Sequence, residues 1–357
     1  MKRISALFIL LVTLHMITMN TKPFANALAQ RQTYKTMNQK RNLLEQASKF
    51  RQIINFNCQK SPSSFTSVRP PPSSLLYYSS SYKQKTGPRG FCNWILPNYI
   101  MVGQYPGTTP EASGPLLDEV QDHIHLLVKK SEPVETRINS AGTNDGAGAK
   151  ICMFCSLQDE VPSQNDYDAW DRSNGKVQLP VGGGREDFPG HFSHYAPMVV
   201  KSLVAQAPNL AKTDEDSLDD ESHMIQFHHA PILDLSTPDS SSLLNLLSIL
   251  LESLLIQNSD DGREEALKDT SESSRGVGGG AVYIHCWGGR GRAGLVSACL
   301  LSLIYPELSA EKCLVWVQRG YDSRDGARFM SPGLRKSPQT ATQRLFVRDF
   351  VKDMRMQ

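Results

Sequence analysis

Residues 281–305 read AVYIHCWGGRGRAGLVSACLLSLIY. Ala281 to Ile284 have the composition of a buried strand, and from Ala293 onward the apolar residues recur at helical spacing. The residues between Cys286 and Ala293 must therefore turn sharply. Gly288, Gly289 and Gly291 permit positive φ there and leave no side chains in the way. Such a turn aims successive backbone N–H groups into one cup at a helix N-terminus, which is an oxyanion site. Arg292, six residues after Cys286, can fold back and grip two phosphate oxygens with its planar fork. The same positive field favours the thiolate of Cys286, the nucleophilic form of the side chain. A thiolate beneath a phosphate cradle attacks phosphorus.

Upstream, FHHAPILDLSTPD stands at 227–239. Together with HCWGGRGRAG it resembles the cysteine-based protein tyrosine phosphatase superfamily, in its dual-specificity branch and most nearly the kinase-associated phosphatase group. There a HCxGGxGR loop follows an acid loop of the form HHxPIxDxxTPD. The resemblance covers roughly 91–350, with gaps. It implies a reaction on phosphate monoesters that uses neither metal nor cofactor, with phosphotyrosine as leading substrate and phosphoserine or phosphothreonine beside it. Cys286 is then the nucleophile, Arg292 binds the phosphate and stabilises the transition state, and Asp234 is the general acid and later the base. Trp287, Gly288, Gly289, Arg290 and Gly291 complete the phosphate loop, and His285 supports it. SPQTATQRLFVRDF resembles the family's glutamine-bearing segment, so Gln339 or Gln343 is expected to orient the hydrolytic water. Asp239 is a rival acid, but it falls in the first turn of the next helix, where an acid is expected in any case.

Two departures from the family pattern matter. Ala293 stands where the superfamily usually has Ser or Thr, whose hydroxyl helps the thiolate leave, so slow breakdown of the phosphocysteine is expected. Arg290 adds a second base inside the loop, as in some phosphoinositide phosphatases of the superfamily. A phosphoinositide or another non-protein phosphate is therefore the second substrate class. A pseudophosphatase that binds phosphorylated partners is a reading of another class, kept open by Ala293. A rhodanese-like sulfurtransferase would also use a loop cysteine over an anion cradle; Asp234 and Arg292 favour phosphate chemistry.

Around these motifs, GFCNWILPNYIMVGQYPG alternates apolar residues about Pro97-Asn98 and reads as a strand pair. LLDEVQDHIHLLV, 116–128, has helical spacing, and KICMFCSLQ and HMIQFHHAPILDL read as strands. LLNLLSILLESLL, 243–255, is a helix, with Thr237 expected as its cap and Pro238 at its first position. Alternating strands and helices predict one α/β domain over 90–357, a parallel-rich sheet flanked by helices. The polar stretches at about 171–195 and 257–280 are expected to decorate its surface. Cys152 and Cys155 have redox or zinc spacing but lie in an apolar strand without a second pair, so core thiols are expected. The histidine pairs 123/125 and 228/229 lack a metal pattern, and GVGGG at 276–280 precedes a strand where a nucleotide-binding run should follow one.

The chain has 357 residues and a formal charge of +2, which hides an asymmetry. Met1 to Arg89 holds 14 Lys and Arg against a single acid, Glu45. Residues 1–29 have the charged start, short apolar core and small residues of a signal peptide. The apolar run falls short of the roughly 20 residues of a membrane span, so any membrane contact is expected only through this segment. Residues 30–89 stay basic, with Ser and Pro runs, as transit-like or disordered linkers do. Import into a plastid-like or mitochondrial organelle is the first expectation; secretion or a signal anchor is the alternative. The odd count of seven cysteines argues for reduced thiols. No nucleic-acid partner is expected, and the oligomeric state is not legible.

Overall fold

A computed structural model describes residues 35–55, 92–106, 124, 127, 150–178, 191–206, 225–258, 280–324, 333 and 335–356. The central sheet holds β1 (Cys92–Leu96), β2 (Ile100–Gln104), β3 (Lys150–Gln158), β6 (Gln226–Ile232) and β7 (Gly280–Cys286), in the order β1-β2-β7-β3-β6. A hairpin of β4 (Lys176–Gln178) and β5 (His191–Ser193) stands beside it. Within the central sheet β1 and β2 pair antiparallel, whereas β2–β7, β7–β3 and β3–β6 are parallel. The expected strand pair is there, turned at Asn98 with φ 67° and closed by Tyr99 N–H on the Leu96 carbonyl. β7 runs between two neighbours and is buried along its whole length, which is why its apolar run is continuous rather than alternating. Cys286 stands at its C-terminal end.

The helices whose full span is described are α1 over 35–55, α2 (Tyr167–Arg172), α3 (Ala196–Gln206), α4 (Ser240–Asn258), α5 (Arg292–Ile304), α6 (Ala310–Asp322) and α7 (Ala341–Arg355). α1, α4, α5, α6 and α7 bury aliphatic side chains against one sheet face. The other face carries an aromatic cluster that includes Trp94, Tyr105, Phe154, Trp170, Phe192, Tyr195 and Tyr283. Among the described residues α4 alone is long and apolar enough to cross a membrane, yet Leu243, Leu247, Leu250, Leu251 and Leu254 pack into the aliphatic core.

Three expectations need correction. The linker with little to bury, expected over 30–89, does not hold for 35–55. Leu43, Ala47, Phe50 and Ile54 recur at helical spacing and are at most 1% exposed in the aliphatic core. Phe50 meets Tyr99 edge-on at 5.3 Å, and Lys40–Asp353 and Arg51–Glu307 ion pairs flank the contact. The basic composition masked this stripe. Next, the ends of 171–195 do not merely decorate: Phe192 and Tyr195 are fully buried in the aromatic cluster. Finally, α4 is capped by Asp239, whose Oδ1 accepts from Ser242 N–H at 2.9 Å, and not by Thr237. The signal-like residues 1–29, most of the helix expected at 116–128 and most of 257–280 lie outside the described residues.

Candidate active site

The loop from Cys286 to Arg292 is held by its carbonyls. Trp287 O accepts from Tyr105 N–H at 3.1 Å, and Arg290 O accepts from the Ser337 hydroxyl at 2.8 Å. Between them, Gly288 O and Gly289 O accept from the two Nη atoms of Arg324 at 3.1 and 3.0 Å. In a trans peptide the N–H points opposite to the C=O. Four consecutive carbonyls tied outward therefore turn the N–H groups of Gly288, Gly289, Arg290 and Gly291 to the inner side of the loop. Gly289 has φ 61°, and a Cβ there would lie 2.2 Å from the Gly103 carbonyl carbon, so the loop packs on β2 only because this residue is glycine. α5 begins at Arg292, and its N-terminal dipole adds to the same side.

Arg292 is 1% exposed and surrounded by acids. Its Nη1 and Nη2 donate to the two Glu160 oxygens at 2.7 and 2.9 Å, a fork-on-fork pair. Nη1 also reaches Asp159 Oδ1 at 3.1 Å and the Ile232 carbonyl at 3.0 Å. Nη2 lies 3.3 Å from Asp234 Oδ1. Burial opposes the Arg292 charge, but Glu160, Cys286 and Asp234 more than offset it, and the guanidinium is held more firmly charged than usual. Burial and then the neighbouring Glu160 charge push the Asp159 carboxyl above the ordinary carboxylate range.

Asp234 projects from the loop between β6 and α4, with its side chain 29% exposed. The next residue, Leu235, holds φ 62°, a conformation a bulky side chain rarely adopts. α7 braces this loop: Gln343 Nε2 donates to Ser236 O at 3.0 Å, while its Oε1 accepts from Thr340 N–H in a capping box. Gln339 is half-buried, with its Cβ against Gly291. Both glutamines thus come to the loop, Gln343 with its amide committed to the brace.

Residues 211–347 match the family described as Swiss Army Knife protein, DSP-PTPase phosphatase domain. This segment is a cysteine-based phosphatase domain of the dual-specificity type. It contains Asp234, Cys286, Arg292, Gln339 and Gln343. No curated protein matches the chain. Two of the solved structures similar to it illustrate the likeness. One is kinase associated phosphatase with its catalytic-site cysteine replaced by serine, at 15% identity and TM-score 0.34, covering 72% of this chain and 88% of that one. The other is Tk-PTP in the active form, at 13% identity and TM-score 0.32, covering 79% of this chain and 97% of that one.

Within the phosphatase domain His285 is fully buried on the aromatic face, its Nε2 2.8 Å from the Tyr195 hydroxyl. Burial, then His229 and Arg292, hold the imidazole well below its usual value, so it is neutral. Burial pushes the Tyr195 phenol far up, so it stays protonated and shares one hydrogen bond with Nε2. Trp287 stands edge-on to Phe192 at 5.8 Å, and Arg290 is half-buried. Ala293 is fully buried; the nearest hydroxyl along α5, that of Ser297, is spent on the Ala293 carbonyl at 2.8 Å. Asp239 is occupied as the α4 cap, and its hydrogen bonds with Ser242 hold its carboxyl low, which suits a fixed anion rather than a proton donor. Cys152 and Cys155 are buried thiols, Cys155 pushed up to about 12 by burial.

Three residues at the site escaped the sequence reading. Asp159 and Glu160 follow the end of β3, the strand next to β7, and that placement at adjoining C-terminal ends was the available signal. Arg324, beyond the end of α6, carried none: it reaches the loop only through the tertiary fold.

Proposed function

We propose that this protein hydrolyses phosphate monoesters through a phosphocysteine, using neither metal nor cofactor. The observation that carries the reading is the loop itself: four carbonyls tied outward above a cysteine at a strand end, with Asp234 3.3 Å from the Arg292 fork. The Cys286 thiolate attacks phosphorus while Arg292 and the inward N–H groups hold the equatorial oxygens. As the bond to the leaving oxygen breaks, Asp234 gives that oxygen its proton. Water then attacks the phosphocysteine, Asp234 takes its proton, and the S–P bond breaks to return thiolate and inorganic phosphate. Gln339, whose amide is not drawn into the capping box, orients that water. His285 supports the loop as a neutral hydrogen-bonded side chain and moves no proton.

Phosphotyrosine is the leading substrate, with phosphoserine and phosphothreonine beside it. The half-buried Arg290 on the loop favours a second reading, a phosphoinositide or other non-protein phosphate. The buried Ala293 favours a third, a pseudophosphatase that holds phosphorylated partners. The test follows phosphate release by the full chain from an aryl phosphate, without metal, over many turnovers. Release is expected to vanish in Cys286→Ser and to fall about 10²–10⁴-fold in Asp234→Ala. Ala293→Ser is expected to speed turnover if the phosphocysteine accumulates. No release, with phosphopeptide still bound, moves the assignment to the pseudophosphatase.

We also infer an N-terminal leader for a plastid-like or mitochondrial compartment, confined to residues 1–34 because α1 belongs to the core. The six described cysteines are buried and form no disulfide with one another, a state that a reducing compartment maintains. A fluorescent protein fused to residues 1–34 is expected in the organelle; its appearance in the medium would sink this assignment.

A further inference from the structure

Two guanidinium groups are buried on opposite sides of the phosphate loop, and their surroundings differ. Arg292 has Asp159, Glu160 and Asp234 within 3.3 Å, so this cluster brings no net positive charge to the site. Arg324, 2% exposed, bonds only neutral oxygens. Its Nε donates to Asn93 Oδ1 at 2.7 Å, and its Nη atoms donate to the carbonyls of Gly288, Gly289 and Val102 at 3.0–3.1 Å. Its guanidinium also lies over the Tyr321 ring at 4.9 Å. Among the described residues no carboxylate pairs with it. A guanidinium cannot shed its proton, and a buried charge without a counter-ion is costly.

That cost falls when an anion occupies the other side of the loop. The connection runs through two peptide units. Arg324 pulls on the Gly288 and Gly289 carbonyls, which polarises those peptides and strengthens the opposite N–H groups of Gly289 and Arg290 as donors. We propose that Arg324 is a positioning residue of the phosphate site. It fixes these two peptides with their N–H groups inward and supplies a positive charge, uncompensated among the described residues, that a phosphoryl dianion answers. The proposal rests on the reading of this loop as a phosphate site.

Asn93→Asp is the sharpest variant, because Asp keeps the Oδ1 acceptor for Arg324 while adding the missing counter-charge; only the weak Asn93 Nδ2 bond to Trp94 O, 3.2 Å, is lost. Arg324→Met removes charge and fork together, and Arg324→Lys keeps the charge without the fork. Each is made in the full chain carrying Cys286→Ser, and binding of inorganic phosphate is measured by calorimetry beside thermal melting. Asn93→Asp is expected to weaken phosphate binding about tenfold with a melting point near the parent's, and Arg324→Met about a hundredfold, with Lys recovering part. A merely structural role would lower the melting point and leave the affinity of the folded protein alone. A loss under threefold in every variant that folds overturns the proposal. Failure of the phosphatase reading has a different signature: the unsubstituted chain releases no phosphate, and its Cys286→Ser form does not bind it.

Discussion

The two faces of the sheet are built from different residues and fix different things. Against the helices α1, α4, α5, α6 and α7 lie mostly Leu, Ile and Val, which need only burial. Against the hairpin and α3 lie tyrosines, tryptophans and His285, whose polar tips must be paired. Gln164 donates to the Tyr105 hydroxyl, Tyr105 to Ser193 O, and Tyr283 to Gln104 O, while Tyr195 meets His285. The faces meet at the end of β7, where Ile284 and Cys286 belong to the aliphatic side and His285 to the aromatic side. Aliphatic burial fixes where β7 stops. Aromatic pairing fixes how the groups at that stop are oriented.

If that division holds, damage to the aliphatic face costs most. Phe50→Ala is expected to destabilise the protein by about 3–5 kcal/mol in urea unfolding, since Phe50 is fully buried against Tyr99. Removing residues through 55 uncovers the sites of Leu43, Ala47, Phe50 and Ile54 together, which exceeds the stability of an ordinary domain. A protein beginning at 56 that unfolds cooperatively at the parent's midpoint would show α1 to be a decoration, and the comparison would break there.

On the aromatic face the same test has a smaller energy and a different symptom. Tyr195→Phe keeps the ring but leaves His285 Nε2 buried without its partner, at an expected cost of about 1–3 kcal/mol. Turnover should fall as well, because His285 then loses the bond that sets its ring and tautomer. Loss of stability with turnover intact would mean that the aromatic face only packs.

Much of this division can be read in the sequence, because it is periodic or local. The run of β7, the glycines after it and the helical spacing from Ala293 specify strand, loop and helix, and Asp234 and Arg292 do converge, at 3.3 Å. Thr340-x-x-Gln343 was also legible as a capping box, although only the role of the glutamine in water binding was expected of it. Other residues were hidden for physical reasons. The stripe of α1 lies in a stretch whose charge imitates a leader. Glu160 and Arg324 act across 132 and 35 residues of chain, through contacts that no local pattern announces. The cap of α4 was misplaced by two residues because Thr237 and Asp239 both suit the position.

The aromatic face has a defect that the aliphatic face does not share. Ser156 Oγ, both amide atoms of Gln158 and His285 Nδ1 are buried without a partner among the described residues. Ser156 pairs with His285 across β3 and β7, so these atoms lie together behind the loop. An unpaired buried amide is costly, whereas an apolar side chain of similar shape is not. Gln158→Leu is therefore expected to stabilise the protein by about 1 kcal/mol. A loss instead would mean that the amide is satisfied in solution and that the polar layer is complete.

The smallest effect is the acid response, and it too separates the faces. Burial lowers His285, His194 and His228, so each protonates less readily in the folded protein than in the unfolded chain. In the unfolded chain each takes up a proton as the pH falls through about 6.5. The unfolded state then binds more protons than the native state, so stability rises with pH in this window and is lost on acidification below it. Asp159 works in the opposite sense, because its raised carboxyl keeps its proton while the unfolded one ionises; but that loss begins in the ordinary carboxylate range, near 4, as pH rises. Melting points taken from pH 7.5 to 5.5 should therefore fall steadily. His285 touches Tyr105 and Tyr195, and His194 stacks flat on Trp170. Two of the three titrating groups thus belong to the aromatic face, and protonation there strains the pairing around Cys286 before it disturbs the aliphatic core. A flat melting curve would mean that these histidines take up protons in the fold as readily as in the unfolded chain, and the neutral His285 assigned to the site would fall with it.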